Sequence, residues 1–390
     1  MLVIGVLVVG LCAAVGGRYL YRVSRPAHRA QVLAQKAKIL LRNQDPEAAA
    51  KALEEARALL PNSPQRTVEL CAVYCALGDL PRAEEELRVA LGRLPEATEL
   101  TVALAKLLVW TWRPREAREL IGPVLPTIRS LPEWKGRSEA LRVAGAAAAG
   151  SGATDEAFAL LDAAAAEGTA GDRVEAHLLK ARLLVGAWRL SEANLELAAA
   201  RRVDPESKSV AVARALALQR GGRPLEAERA LRALYDAGGA GRLAVLRPLG
   251  ELLAARGQLD QARDLAGELE AEARSEAAYL HASIATRAGD LTAADDALVT
   301  AGKLQPESPR APLLRATASL RRGDLATARA AYTVALKRTP GLPEAELGLL
   351  GLDRQAGDPA RIEERAVRLL DDPQTRIAAV CALIGGSEAA

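Results

Sequence analysis

The sequence is organised around a period of about 34 residues. An alanine recurs at steps of 32 to 40 residues, as Ala49, Ala83, Ala117, Ala157, Ala193, Ala227, Ala262, Ala294 and Ala328. A second small residue lies twelve positions before each of these, as Ala37, Cys71, Ala105, Gly145, Ala181, Ala215, Gly250, Ala282 and Ala316. Small residues at fixed places in a long period predict stacked copies of one supersecondary unit.

One unit, residues 64–95, shows what is repeated. Its apolar residues recur three and four apart in two stretches, which predicts two short amphipathic helices. Gly78 and Asp79 separate the stretches, and Pro95 ends the second because proline cannot continue helical hydrogen bonding. Glycine permits the left-handed conformation that ends a helix, and Asp can cap the next one. Such a hairpin has an apolar seam that only neighbouring copies can bury.

This pattern resembles the tetratricopeptide repeat family, whose unit carries small residues at its eighth and twentieth places and a proline at its thirty-second. The resemblance implies an all-α solenoid, a right-handed superhelix of about ten helical hairpins over residues 30–373. Nine repeats fit well. The tenth, residues 343–373, is degenerate, because Leu350 and Ile362 replace the small residues.

The first 22 residues predict a membrane anchor. Residues 1–17 contain no charged side chain, and as a helix they would reach about 26 Å, near the thickness of a bilayer core. Basic residues follow this segment, and no acidic residue appears before Asp45. The positive-inside rule then places the repeats in the cytoplasm and the N-terminus outside, as a single-pass protein of the inner membrane. A cleaved signal peptide is the alternative.

Four further segments interrupt or flank the array. Residues 23–29 predict a short basic connector in which Pro26 interrupts the helix. Residues 126–137 contain two prolines and predict a projecting loop. The glycine-rich residues 236–242 are a candidate joint, and residues 374–390 predict a capping helix followed by a disordered tail.

Composition argues against several classes of function. Lys and Arg total 52 against 49 Asp and Glu, so the net charge of +3 gives no general attraction to nucleic acid. Cys71 and Cys75 lie one helical turn apart, but no further Cys or His lies near them in sequence. His177 and His281 belong to different repeats. The sequence therefore predicts no enzyme, no metal, no cofactor and no small-molecule substrate.

A partner-binding groove is what the resemblance implies instead, since family members line a concave face with set places of each first helix. Those places hold cations and two aromatic residues here: Lys38, Arg42, Lys106, Trp110, Arg142, Arg182, Arg220, Arg247, Tyr279, Arg287 and Arg321. Arg guanidinium groups beside apolar side chains suit a protein or peptide that carries acidic and apolar residues. The alternative is that these charges pair with acidic residues of the array.

The sequence thus predicts a membrane-tethered scaffold or adaptor that holds partner proteins at the cytoplasmic membrane face. The layout of anchor and repeats resembles that of the bacterial lipopolysaccharide assembly protein B family, which implies regulation of envelope biosynthesis. That family ends in a metal-binding ribbon of paired cysteines, whereas Cys381 is the single cysteine near this C-terminus. A third alternative is an exported or periplasmic repeat protein that assists pilus, secretion or outer-membrane assembly.

Overall fold

The computed structural model describes residues 25–43, 45–131, 134–239, 242–370, 375–376, 379–381 and 383. These residues form an all-α, tetratricopeptide-repeat-like solenoid of about twenty helices. The chain divides into two compact units, Met1–Leu107 and Leu108–Ala390. The predicted fold class is confirmed for the repeats. The predicted anchor, residues 1–22, lies outside the described residues.

Two hairpins and the start of a third make up the first unit. Its helices are α1 (Pro26–Arg42), α2 (Pro46–Leu59), α3 (Pro64–Leu77), α4 (Leu80–Arg93) and α5 (Thr98–Trp110), and α5 runs across the boundary between the units. α1 begins at Pro26, so the last residues of the segment predicted as a connector are helical. A proline fits the first position of a helix because its missing N–H has no partner there anyway.

The second unit continues the third hairpin and adds seven more. Its helices are α6 (Pro114–Ile121), η1 (Gly122–Val124, a 3₁₀ turn), α7 (Leu125–Ser130), α8 (Arg137–Gly150), α9 (Thr154–Glu167), α10 (Ala170–Gly186), α11 (Leu190–Val203), α12 (Lys208–Arg220), α13 (Pro224–Asp236), α14 (Arg242–Ala255), α15 (Leu259–Glu270), α16 (Arg274–Ala288), α17 (Leu291–Leu304), α18 (Arg310–Arg322), α19 (Leu325–Arg338), α20 (Pro343–Ala356) and α21 (Pro359–Leu369).

The periodic small residues are where the helices of each hairpin meet. All nine alanines of the second helices, from Ala49 to Ala328, are completely buried. Two of the first-helix places are glycine, and the structure gives the reason at Gly250, where an added Cβ would lie 2.5 Å from Leu280 Cδ2. This close approach, between the first helices α14 and α16 of neighbouring hairpins, is possible because glycine has no side chain.

The turn within each hairpin also follows the sequence. Gly78, Gly289 and Gly323 have φ values of 79°, 83° and 77°. The next residue is an aspartate each time, and its carboxylate accepts a hydrogen bond from the backbone N–H three residues on, as Asp290 does from Ala293 at 3.0 Å. The predicted glycine stop and aspartate cap are therefore present.

The insertion between hairpins three and four begins as a helix, whereas its described residues 131 and 134–136 are not helical. Residues Leu125–Ser130 form α7, and the side chains of Leu125 and Ile128 are buried. Pro126 lies at the start of this helix, where a proline is tolerated. Pro126 therefore marks a helix start, and burial of Leu125 and Ile128 holds this helix against the array, whereas Pro132 lies outside the described residues.

On both sides of the glycine-rich residues 236–242, side chains belong to one buried cluster, among them Leu231 of α13 and Val245 of α14. The candidate joint at 236–242 stays a prediction.

At the C-terminus, Ala379 is buried with Leu350 and Ile362, where the capping helix was predicted. Residues 384–390 lie outside the described part. Among the described residues, no helix has the length and apolar character needed to cross a membrane.

Candidate functional site

An ion network joins the first helices of hairpins seven, eight and nine. Arg247 on α14 reaches Glu251 Oε1 at 2.8 Å and Glu276 Oε2 on α16 at 2.8 Å. Arg310 on α18 reaches the other oxygen of Glu276 at 2.9 Å. We call the face of α14, α16 and α18 that carries these residues the first-helix surface. Arg247 is therefore neutralised within the chain, as the alternative to a free cationic groove proposed.

Tyr279 belongs to the interior and not to an open groove. Its side chain is fully buried, and its hydroxyl lies 3.2 Å from Gln305 Oε1 and 3.3 Å from Ser308 Oγ. The guanidinium of Arg310 covers its ring at 4.0 Å. The sequence placed Tyr279 correctly on the first helix, but it gave no information on the Arg310 side chain that closes over it.

Two cations on the same surface lack such neutralisation. Arg287 lies near the end of α16 and Arg321 at the equivalent place on α18, and both side chains are exposed. Arg321 Nη1 donates to the carbonyl of Thr286 at 3.5 Å. Among the described residues, neither guanidinium has a carboxylate within 4 Å.

The positive charge of Arg321 affects the pKa of Arg287. Partial burial lowers the pKa of Arg287 below its ordinary value, and the positive charge of Arg321 lowers it further, while Glu251 opposes both effects. A lowered Arg pKa means that the positive charge is destabilised where it stands. An anion placed between the two guanidinium groups would relieve that cost, so the pair is suited to a carboxylate.

The other predicted cations of the second unit differ among themselves. Arg142 is half-buried and lies 4.0 Å from Glu139. Arg182 is exposed and, in the described part of the chain, has no carboxylate at ion-pair distance. Arg220 is exposed and covers the indole of Trp188, with its Cζ 4.4 Å from the ring centroid. Trp110, at the end of α5, is 58% exposed, as a contact residue should be.

In the first unit, the predicted cations Lys38, Arg42 and Lys106 are all exposed. Lys38 Nζ lies 4.0 Å from Glu69 Oε1, a weak surface pair. Beside Lys38, an apolar cleft between α1 and α3 includes Leu41 and Val73 in its lining. This unit therefore also places a cation next to apolar surface.

In the part of the chain that the structure describes, the histidines and cysteines do not converge on a reactive site. His177 Nδ1 pairs with Glu196 at 2.7 Å, whereas His281 lies 3.9 Å from Glu270. Burial raises the pKa of the Cys71 thiol to about 12, so the thiolate that a metal or an electrophile requires is absent at neutral pH. In the described residues, no three His, Cys, Asp or Glu side chains form a group that could hold a metal ion.

Trp188 was not among the residues predicted to form the site. It occupies the turn of hairpin five with φ of 58°, at the place that glycine fills in hairpins two, four and six to ten. Trp112 occupies the same place in hairpin three with φ of 64°. The register of the turn glycines was the signal that could have found both residues.

Two segments match family models described as tetratricopeptide repeat, residues 40–96 and residues 279–343. They lie one in each unit and support that repeat family. A comparison with curated proteins finds no match.

Several solved structures are similar in fold. The yeast Tom70 crystal structure is 14% identical, with 92% of this chain and 95% of that chain covered and a TM-score of 0.43. The human IFIT1 dimer with m7Gppp-AAAA is 18% identical, with 83% and 80% covered and a TM-score of 0.49. MamA from Desulfovibrio magneticus RS-1 is 16% identical, with 46% and 97% covered and a TM-score of 0.37. At these identities the likeness concerns the fold alone.

Proposed function

We propose that this protein is a scaffold or adaptor that holds a partner protein or peptide on its first-helix surface and keeps it at a membrane. The observation that carries the binding role is the pair of Arg287 and Arg321, two adjacent guanidinium groups without a carboxylate in the described residues. Repeat solenoids of this type suit protein–protein contact because they present long, continuous surfaces. Carboxylates of a partner would bind the pair with charge-assisted hydrogen bonds.

Membrane tethering is proposed from the sequence of residues 1–22. Residues 1–17 are apolar and uncharged, and basic residues begin at Arg18. We expect the repeats to face the cytoplasm. An exported or periplasmic protein and an envelope-biosynthesis regulator similar to lipopolysaccharide assembly protein B are the alternatives. Fusing alkaline phosphatase after residue 45 tests the topology, because that enzyme matures only outside the cytoplasm. An inactive fusion supports the proposal, and an active one supports the exported alternative.

Reversing both cations tests the binding role. In the double variant Arg287→Glu, Arg321→Glu, partner carboxylates meet like charge, so we expect capture of the partner from detergent-solubilised membranes to fall at least tenfold, about 1.4 kcal/mol. The measurement is quantitative mass spectrometry of proteins retained on the immobilised chain.

The matched control changes the net charge equally on second helices. Arg263→Glu with Arg368→Glu alters two exposed side chains whose pairs, with Asp260 and Glu364, lie within one helix. We expect this variant to retain the same proteins as the unchanged chain. Equal retention by the Arg287, Arg321 variant would show that partners do not use this surface.

A further inference from the structure

The turns of hairpins five and six form a second exposed surface, on different hairpins from the first-helix surface. Trp188 is 63% exposed, and Leu225, two residues after Arg223, is 56% exposed. The two turns are in contact: Arg220 covers Trp188, and Leu190 Cδ1 lies 3.6 Å from where a Cβ on Gly221 would be. We call Trp188 and Arg220 the turn patch.

The backbone gives no reason for a tryptophan in this turn. The N–H of Arg189 donates to Leu184 O at 2.9 Å, and the N–H of Trp188 donates to Val185 O at 3.2 Å. This pattern closes a helix and places the residue at Trp188 in the left-handed region, which glycine enters without strain. A bulky residue there is a conformational outlier. Folding alone favours glycine, so the indole has another use.

The charges around the turn patch indicate what kind of ligand it can bind. Arg189 and Arg223 are each held by two hydrogen bonds to a glutamate in the same turn, Glu192 and Glu226. In contrast, Arg220 contacts the indole and, in the described part of the chain, no carboxylate. The patch therefore combines open aromatic surface with one positive charge that no described carboxylate neutralises.

We propose that the turn patch binds a short peptide segment in which a large apolar residue lies next to Asp or Glu. The apolar side chain packs on Trp188, and the carboxylate pairs with Arg220. Tryptophan and arginine commonly carry most of the binding energy of small contact sites. An anionic membrane is the less suitable occupant, because Glu192 and Glu226 in the same turns would face it.

Selection from a random twelve-residue peptide library displayed on phage tests this proposal with the full chain in detergent. We expect enrichment of sequences that place Leu, Ile, Phe or Trp beside Asp or Glu. We further expect at least tenfold weaker binding of selected peptides to Trp188→Gly and to Arg220→Gln, with unchanged binding to Trp112→Gly. Trp188→Gly should keep or raise the unfolding midpoint, because it removes strain, so its weaker binding would not come from unfolding.

Peptides that bind through the turn patch should also bind the Arg287→Glu, Arg321→Glu variant, which separates this site from the first-helix surface. Selected peptides that bind Trp188→Gly as tightly as the unchanged chain would overturn the proposal, and so would enrichment without acidic residues. Binding to phosphatidylcholine vesicles containing phosphatidylglycerol that depends on Trp188 would assign the patch to lipid instead.

Discussion

At the residue scale, the hairpin turn shows how one position can be shared between folding and function. Gly222 and Trp188 occupy equivalent places with similar hydrogen bonding and φ of 77° and 58°. For a residue with a Cβ, the left-handed region costs about 1–2 kcal/mol. A glycine at Trp188 would avoid that cost, so the indole is retained against the local backbone preference.

The buried carboxylate of Asp353 is a second case in which a single residue matters. It is completely buried on α20, where Arg329 reaches it at 2.6 Å from α19 and Arg365 at 2.8 Å from α21. Burial raises the pKa of Asp353, but the hydrogen bonds from Arg365 and Arg329 outweigh burial and hold the pKa below its usual value. Three of the four helices of hairpins nine and ten, α19, α20 and α21, therefore meet at this carboxylate.

We predict that Asp353→Asn lowers the free energy of unfolding at pH 7 by roughly 3 kcal/mol, because it leaves two arginines facing a neutral group. A carboxyl whose pKa is lowered by folding stabilises the fold above its unfolded pKa of about 4. That stabilisation disappears as the pH falls through the lower folded value. Urea unfolding at pH 7 and pH 3 should show a smaller difference from the unchanged chain at pH 3.

The control for this prediction is Glu364→Gln, which removes an exposed carboxylate that pairs with Arg368 at 3.5 Å. Exposed pairs contribute about 0–1 kcal/mol, so this variant should unfold almost as the unchanged chain does. A difference for Asp353→Asn that stays constant between pH 7 and pH 3 would contradict the assigned charge.

At the scale of the element, two different side-chain arrangements begin the second helix in several of the hairpins. Asp79, Asp290, Asp324 and Asp358 cap the helix with the side chain. In hairpins five and six an arginine takes that place and pairs with a glutamate three residues later. The hydrogen bond from this arginine lowers the pKa of Glu192 and of Glu226. Both arrangements fix the turn, so the turn sequence can vary while the hairpin geometry is kept.

Helix α20 contains two glycines with opposite surroundings, which makes it a sensitive test of packing. A Cβ on Gly348 would overlap three atoms of the Tyr332 ring, whereas a Cβ on Gly351 would meet nothing within 4 Å. We predict that Gly348→Ala destabilises by about 1–3 kcal/mol through overpacking. We predict that Gly351→Ala stabilises by about 0.5–1 kcal/mol, because alanine loses less backbone entropy in a helix.

Thermal and urea unfolding of the two alanine variants measure this difference, and each variant is the control for the other. They share the helix, the substitution and the change in helix propensity, so packing against Tyr332 is what distinguishes them. Equal effects of the two substitutions would mean that the helices of hairpins nine and ten do not approach as the structure shows.

At the scale of the whole molecule, stability is expected to depend on neighbouring hairpins. The buried clusters are local: one contains Ala316, Tyr332 and Leu349, all from hairpins nine and ten. A more distant contact occurs within the second unit, where Arg115 Nη2 lies 3.5 Å from the carbonyl of Pro340. At this distance it is a weak hydrogen bond, so nearest-neighbour packing dominates.

We therefore predict a graded effect of removing hairpin ten. Deletion of residues 343–390 exposes the Tyr332 ring and leaves Arg329 without Asp353, so amides of α18 and α19 should lose protection from hydrogen exchange. Amides of α3 and α4, in the first unit, should keep theirs. A chain truncated after residue 383 is the control, since it keeps every described residue. Loss of protection in all helices after the longer deletion would show global cooperativity.

The sequence by itself determined the repeat, the hairpins and the small residues between them. These features are local or periodic. Once two helices and a glycine turn recur along the chain, few arrangements of the helices can bury the alanines between them. The same logic was wrong at residues 126–130, because a proline can mark a helix start as well as a loop. It was also insufficient for the candidate groove, where the register located Tyr279 and Arg247 but not their surroundings.

Only the tertiary structure decided which charges are free. Arg247 and Arg287 have the same side chain and lie on neighbouring first helices, yet Arg247 meets Glu276 across the hairpin interface while Arg287 faces Arg321. That difference depends on side-chain reach between helices about thirty residues apart in sequence, which no local pattern encodes. The exposure of Trp188 and its contact with Arg220 were decided in the same way, by the packing of one turn against the next.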